Sequence, residues 1–289
     1  MSRIPKVTMM KLSKKRERWV KSRNDAVITG SALSYPAAPA ARYQKAVGAM
    51  LEQMNAEYER EINRLYRDFN VGTMDASIAS QARILMNSLG KKWSERFSKA
   101  GNGIVDRMIN GIDRDAAKRL DMSLKELSGG ITIKTPDMPA GLRDKIIAAT
   151  AENVSLIRTI PAQFHSRIEG VVMRSITQGQ EGSATVFKEL RKGYGITEKR
   201  AKLIAVDQTR KITSALNVER MQAAGIKQWR WQHSSGGAEP RQLHLRLNGE
   251  VFNYDDEPPV IDERTGERGY PGQLINCRCV QVPVISFDD

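Results

Sequence analysis

The spacing of apolar residues changes once along this chain, at Gly225, and that change constrains the fold more than any other feature. Before Gly225, apolar residues recur at steps of three and four, which is the spacing of amphipathic helices. From Lys227 to His233 the side chains instead fall on two alternating faces, which is the spacing of a strand. The chain is therefore predicted to be an α+β protein with a mainly α-helical body and a small C-terminal α+β domain.

The helical body is predicted to begin near Arg42 with a helix of about seven turns. Its apolar stripe consists of Val47, Leu51, Met54, Tyr58, Ile62, Leu65 and Phe69. A second helical stretch is expected from Asp75 to Leu127, with interruptions at Gly90, Gly101 to Gly103 and Gly111. A helix from Leu142 to Arg158 follows, and Pro161 is expected in the first turn of the next one, where proline is tolerated.

The last long helix is predicted from Thr197, as its N-cap, to Ala224, after a loop at residues 192–196. Gly225 is expected to stop it, because glycine readily adopts the left-handed conformation that ends helices. Further strands are predicted at 245–252 and 276–284, on either side of a long loop. Four segments result: a basic flexible arm and linker (1–41), a long-helix region (42–128), a helical region (129–196) and a C-terminal domain (197–289).

The N-terminal arm is strongly basic, in a chain whose formal net charge is +13. Residues 1–24 hold nine Lys or Arg against one acidic residue, and a linker of small residues and prolines follows to Ala40. Basic arms bind double-stranded DNA by neutralising phosphates and releasing counterions. Solubility or an acidic protein partner are the alternative explanations. The candidate nucleic-acid contacts are Lys11, Lys14, Lys15, Arg16, Arg18, Lys21 and Arg23.

Several classes of protein are excluded by what the sequence lacks. No run of about 18 apolar residues is present, so neither a transmembrane helix nor a membrane partner is expected. The N-terminus has no apolar signal-peptide core, and two cysteines are too few for a disulfide framework, so an intracellular product is expected. No phosphate-binding loop, nucleophile elbow, zincin or dinucleotide motif occurs, and we predict that the chain is not an enzyme.

Both cysteines and two of the three histidines lie in the last sixty or so residues. If residues 276–284 form a strand, Cys277 and Cys279 point to the same face and can reach one metal ion. His233 and His244 would complete a structural Cys2His2 zinc site with them. Two buried reduced thiols and a strained local disulfide are the open alternatives, and a catalytic pair of a cysteine with His244 is a further one.

A set of motifs in the second half of the chain resembles the Mu F-like family of phage head morphogenesis proteins. It begins at residues 200–211, continues through Gly225-Ile226 and Trp229 to Trp231, and ends at residues 276–279 before Val282-Pro283-Val284. The residues that carry the motif are Arg200, Asp207, Gln208, Trp229, Arg241, His244, Asn248, Gly249, Cys277, Arg278 and Cys279.

The resemblance implies a structural protein of the virion, made in the host cytoplasm and located inside the phage head near the portal vertex. Its expected partners are the portal protein, the major capsid or scaffolding protein, and double-stranded DNA, with which it would be packaged and ejected. The resemblance itself implies no cofactor, and the structural zinc considered above stays one alternative for the cysteines and histidines. Two alternatives remain: a zinc-dependent nuclease or hydrolase that uses the His/Cys cluster, and a free-standing nucleic-acid-binding protein.

Overall fold

The computed structural model describes residues 27–70, 77–127, 140–178, 183–235, 240–262, 266 and 268–286. Four long helices dominate these residues: α1 (Ala37–Asn70), α2 (Ile78–Leu127), α3 (Ala140–Gln178) and α4 (Ser183–Ala223). A short helix, α5 (Gln242–Arg246), lies among strands β1 (Val27–Thr29), β2 (Gln228–Gln232), β3 (Val251–Asn253), β4 (Val260–Ile261), β5 (Arg268–Gly269) and β6 (Val280–Ser286). The α+β prediction, with helices first and the strands mostly at the C-terminal end, is confirmed.

The main sheet has four antiparallel strands in the order β1-β6-β2-β3. Strand β6 is central, pairing Thr29 of β1 with Val284 and Trp229 of β2 with Pro283. Strands β4 and β5 form a separate antiparallel pair within the segment predicted as a long loop. The predicted strand at 245–252 is wrong in its first part, because Leu245 belongs to α5.

The prediction of a flexible linker before residue 41 is corrected by the structure. Val27–Thr29 is a strand, Leu33 is buried in the core, and the Ser123 hydroxyl donates to the Ser31 carbonyl at 2.8 Å. Helix α1 begins at Ala37, and Pro39 fits its first turn because the first N–H groups of a helix have no intrahelical partner. The predicted contacts from Lys11 to Arg23 lie outside the described residues.

The helix breaks predicted at Gly90, at Gly101 to Gly103, at Gly111, before Pro161 and at 192–196 do not occur. Helix α2 is continuous through Gly90. A Cβ atom at this position would collide with the His165 ring, so the glycine allows close packing. Pro161 lies inside α3 rather than in a first turn. Helix α4 is continuous through 192–196, and the Thr197 hydroxyl donates to the Gly193 carbonyl at 2.8 Å instead of capping. An isolated glycine costs a helix only about 1 kcal/mol, which tertiary packing overcomes.

The chain forms two compact units, each assembled from separated stretches. We call the described part of 40–108 and 150–206 the helical unit, and the described part of 1–39, 109–149 and 207–289 the sheet unit. In the helical unit the predicted α1 stripe is buried from Val47 to Leu65, while the side chain of Phe69 is not described. In the described residues, no helix has the length and apolar content to cross a membrane.

The sheet unit has a core of large aromatic side chains. Trp229 stacks on Phe252 with ring centroids 4.9 Å apart, and Trp231 lies beside it on the same strand. Helix α4 delivers Val218 and Met221 to this core and ends as predicted at Gly225, whose φ is 78°. Ile226 N–H donates to the Met221 carbonyl and Gly225 N–H to the Gln222 carbonyl, the paired bonds of a Schellman motif. These two bonds end α4 at Gly225, and β2 begins three residues later at Gln228.

Candidate metal centre

His244, Cys277 and Cys279 meet at one point in the sheet unit. His244 is on α5, and the two cysteines come just before β6. The Nδ1 atom of His244 is 3.6 Å from Cys277 Sγ and 3.6 Å from Cys279 Sγ. The three residues are only 3%, 2% and 2% exposed, respectively, and both cysteines are free thiols. The structure thus brings together three of the four predicted ligands, and no disulfide joins the cysteines.

The cysteines follow a turn at 271–276 and precede β6, so the strand predicted at 276–284 begins only at Val280. We call residues 272–279 the cysteine turn. The expected alternation nevertheless holds, because both cysteines are buried while Arg278 between them is exposed. Asn276 gives the turn its shape with a φ of 58°, a left-handed conformation that asparagine tolerates better than most residues. The two sulfurs therefore face the same side without strand pairing at that point.

Two residues of the sequence motif hold the backbone of the cysteine turn. Asn276 N–H donates to Asp207 Oδ1 at 2.7 Å, from α4. Arg241 Nη2 donates to the Ile275 carbonyl at 3.0 Å, from the residue just before α5. A hydrogen bond to a charged group contributes about 1.5–3 kcal/mol, roughly twice a neutral one. Asp207 and Arg241 are thus positioning residues for the cysteines.

Tyr35 and Gly272 pack together against the cysteine turn. The Tyr35 hydroxyl donates to the Cys279 carbonyl. Gly272 has a φ of 88°, and a Cβ atom at this position would collide with the Tyr35 ring. Burial raises the pKa of Tyr35 well above the usual tyrosine value, and the nearby Cys277 and Cys279 raise it further. Tyr35 therefore stays a neutral hydrogen-bond donor.

The two thiols share their protons unequally. The pKa of Cys277 is lowered to about 4, chiefly because the Cys279 side chain hydrogen-bonds to it, although burial opposes the shift. The pKa of Cys279 is raised, first by the same hydrogen bond and then by burial. Such a pair loses its first proton readily and holds the second, as coupled sites do.

Arg210 is near Cys277, and its pKa is lowered by burial and by the charge of Arg278.

His233, the fourth predicted ligand, is not in this group of three. Its backbone N–H donates to Asn248 Oδ1 at 2.8 Å, and its Nδ1 atom accepts a hydrogen bond from Ser235 N–H at 3.1 Å. Gly249 N–H donates to the Trp231 carbonyl at 2.8 Å, with a φ of 92° that favours glycine. Asn248 and Gly249 therefore fix the connection from α5 to β3 against the end of β2.

The remaining motif residues lie inside packed structure. Trp229 and Gln208 are buried in the sheet unit. In the helical unit, Arg200 Nη2 lies 3.3 Å from Thr159 Oγ1, to which it donates. Sequence reasoning missed Tyr35 and Arg210 as neighbours of the cysteines. Tyr35 lies in a segment of small residues and prolines, and no local pattern marks it as a partner of residues far along the chain.

A groove of about 550 Å³ lies on the sheet unit beside α5. Its apolar walls include three partly exposed side chains, those of Leu243, Ile261 and Ile275. Arg241, Arg246 and Asp262 also line it. An exposed apolar surface with charged residues at its rim is typical of a site for another protein.

Comparison with known proteins connects this site to a family. Residues 166–282 match a protein-family model described as "Phage Mu protein F like protein". A Haemophilus influenzae protein titled "Uncharacterized protein" is 30% identical over 256 residues, which cover 86% of this chain and 53% of that protein. The chain thus spans about half the length of that relative. No solved structure matches the chain. The matched region contains every motif residue from Arg200 to Cys279, so the resemblance is confirmed.

Proposed function

We propose that this chain, whose residues 166–282 match the model of the Mu F-like phage proteins, acts as a minor head protein. In this role it helps to assemble the head near the portal vertex, and it is packaged and ejected with the genome. It works by binding other head components rather than by a chemical reaction. The family match is the observation that carries the proposal.

The contacts of the motif residues support a structural role. Asp207 and Arg241 bind the backbone of the cysteine turn, and Asn248 and Gly249 bind the backbone around β2. A catalytic residue must instead reach a substrate. The alternative of a zinc-dependent nuclease or hydrolase would need His244 and the two cysteines to meet a substrate, yet each is at most 3% exposed, and of the three only His244 lines the groove beside α5. Burial of the cluster therefore favours assembly over cleavage.

Quantitative mass spectrometry of purified particles tests this proposal. Procapsids, DNA-filled particles and emptied particles are compared, with the major capsid protein as the internal standard. We expect the chain in procapsids and filled particles at far fewer copies than the capsid protein, and its loss from emptied particles. Absence from both procapsids and filled particles would overturn the head role. Presence in emptied particles would overturn ejection alone.

We further propose that the basic arm contacts double-stranded DNA in the head. Residues 1–24 carry nine Lys or Arg against one acidic residue, so they can neutralise several phosphates. Each phosphate contact adds about 0.9 to the slope of log affinity against log salt concentration. Replacing Lys14, Lys15, Arg16 and Arg18 with glutamine should therefore reduce that slope by roughly 3–4. Replacing Lys227 and Arg230 in the same way is the control, and an equal effect there would contradict the proposal.

The groove beside α5 is our proposed contact for a capsid-related partner, the portal protein first. Leu243 and Ile261 offer apolar contact, and Arg241 and Arg246 outnumber Asp262, so the partner segment is apolar with acidic neighbours. Leu243→Glu together with Ile261→Glu should lower incorporation into particles, because both changes repel such a segment. Met122→Glu, an exposed position on α2, is the matched control. Normal incorporation of the groove variant would exclude the groove as the contact.

A further inference from the structure

Three soft or borderline donor atoms converge in the sheet unit without a covalent bond between them. They are His244 Nδ1, Cys277 Sγ and Cys279 Sγ, and all lie within 4.8 Å of one another. We propose that these atoms hold a zinc ion, and that His233 is not one of its ligands. The inference depends only on this geometry and not on the proposed role in the phage head.

The distances in the cluster match a tetrahedral zinc site. Zinc binds cysteine sulfur at about 2.3 Å and histidine nitrogen at about 2.0–2.1 Å, with near-tetrahedral angles. Those bond lengths and angles put a ligand nitrogen about 3.6 Å from a ligand sulfur. The two nitrogen–sulfur distances here are both 3.6 Å. The side chains therefore already form two edges of the coordination tetrahedron.

Hydrogen bonding alone does not account for this arrangement. A neutral imidazole nitrogen either donates one proton or accepts one, so His244 Nδ1 has a single bonding direction. It nevertheless lies at the same distance from both sulfurs, 3.6 Å in each case. The Nε2 atom is buried and has no hydrogen-bond partner among the described residues. A cation between the three atoms interacts with all of them at once.

The surroundings of the two sulfurs suit thiolate ligands. Gly272 N–H donates to Cys277 Sγ at 3.3 Å, and the backbone of Ser234 hydrogen-bonds to Cys279. Backbone donors to the ligands of a metal are part of how proteins tune the site. The Trp231 ring covers the imidazole edge-on, with centroids 5.1 Å apart. The Trp231 ring therefore packs against the imidazole of His244.

The donor set selects the metal. Two thiolates and an imidazole favour zinc over magnesium or calcium, which prefer oxygen ligands. Three protein ligands leave one tetrahedral position for another ligand. His233 is engaged with Asn248 and Ser235 through its backbone and Nδ1 atom. The bound zinc would therefore link α5, which carries His244, to the cysteine turn that precedes β6.

Metal analysis of the purified full-length chain tests the site. We expect about one zinc per chain in elemental analysis, and a thiolate-to-cobalt charge-transfer band when cobalt replaces zinc. Metal-free chain should regain its thermal stability when zinc is returned, because an ion that binds only the folded state stabilises it. This part of the test uses the unaltered sequence and needs no variant to fold. Zinc content near zero, together with no cobalt band, would overturn the proposal.

The two neighbouring histidines give a matched pair of variants for the ligand assignment. His244→Ala should lower zinc affinity by more than the 10–100-fold that changes outside the ligand shell typically cause. His233→Ala should keep zinc and the cobalt spectrum. Cys277→Ser and Cys279→Ser should each weaken the charge-transfer band, and far-UV circular dichroism shows whether these variants fold. Equal zinc loss in folded His233→Ala and His244→Ala would show that the three-residue assignment is wrong.

Discussion

The helical unit and the sheet unit are stabilised by different kinds of contact. In the helical unit a stripe of apolar residues from Val47 to Leu65 is buried, and isolated polar contacts such as Tyr58 hydroxyl with His165 Nδ1 at 2.9 Å are added to it. In the sheet unit, a short sheet and irregular segments depend on single polar contacts to backbone, such as that of Asp207 with Asn276. The helical unit spreads its apolar contacts along a regular stripe, whereas the sheet unit adds polar contacts at single positions to its aromatic core.

The largest effects should be alike in the two units, because both have close-packed cores. Trp229→Ala in the sheet unit and Trp93→Ala in the helical unit each remove a side chain that is about 1% exposed. Each change should lower the free energy of unfolding by about 3–5 kcal/mol, measured by urea denaturation with circular dichroism. Only Trp229→Ala should also weaken zinc binding, since Trp229 lies beside Trp231. Equal loss of zinc in both variants would show that zinc binding does not depend specifically on the core of the sheet unit.

Gly272→Ala should have the next largest effect, and it acts only on the sheet unit. The substitution strains a residue with a φ of 88° and drives a Cβ atom into the Tyr35 ring. Backbone strain of about 1–2 kcal/mol and overpacking of about 1–3 kcal/mol should both destabilise the chain. Gly249→Ala is the control, because its φ is 92° but open space surrounds it. If the two variants lose the same stability in urea denaturation, the Tyr35 contact is not important.

Asp207→Ala tests whether one polar contact holds the cysteine turn. It leaves the Asn276 N–H without its carboxylate acceptor, and unfolding free energy should fall by about 1–3 kcal/mol. Zinc affinity should fall by about 10–100-fold, because Asp207 positions the ligands without touching the metal. Asp68→Ala in the helical unit, where Asp68 pairs with the exposed Arg64, should cost less than about 1 kcal/mol. Calorimetric titration measures the zinc affinity of each variant, and thermal unfolding measures its stability.

Gly48→Ala should have the smallest effect on the free energy of unfolding, and it should raise this free energy where the other variants lower it. Gly48 lies inside α1, and nothing lies within 4 Å of an added Cβ atom. Alanine is favoured over glycine in a helix by about 0.5–1 kcal/mol, so the helical unit should become more stable. Thermal unfolding of this variant against the unaltered chain measures the gain. A loss of stability would mean that α1 is not held by regular helical packing at this position.

The contrast between a regular apolar stripe and single contacts between distant residues also explains how much of the structure was predictable from the sequence. The stripe of α1 and the helix stop at Gly225 follow from local periodicity and backbone preference, and both predictions were confirmed. Breaks were predicted at Gly90 and Pro161, but packing between distant helices overrides a local penalty. Neither Tyr35 nor Asp207 could be assigned to the cysteine turn, since each contact joins residues far apart in sequence.

The residues of the candidate site were predictable only in part. The concentration of cysteine and histidine near the C-terminus predicted a cluster of His233, His244, Cys277 and Cys279, and the structure brings together the last three. The strand expected from 276 begins only at Val280, and Asn276 before it has a left-handed conformation with its N–H bonded to Asp207. The separation of His244 from His233 depends on α5, a five-residue helix that places His244 and that no periodic pattern indicates.

We propose that the sheet unit is organised around a metal held by His244, Cys277 and Cys279. Hydrogen exchange of the full-length chain with and without zinc is the direct test of this organisation. Zinc should slow exchange in peptides covering α5 and the cysteine turn, and leave peptides covering 47–65 of α1 unchanged. Identical exchange in both states, or an equal change in α1, would contradict the account.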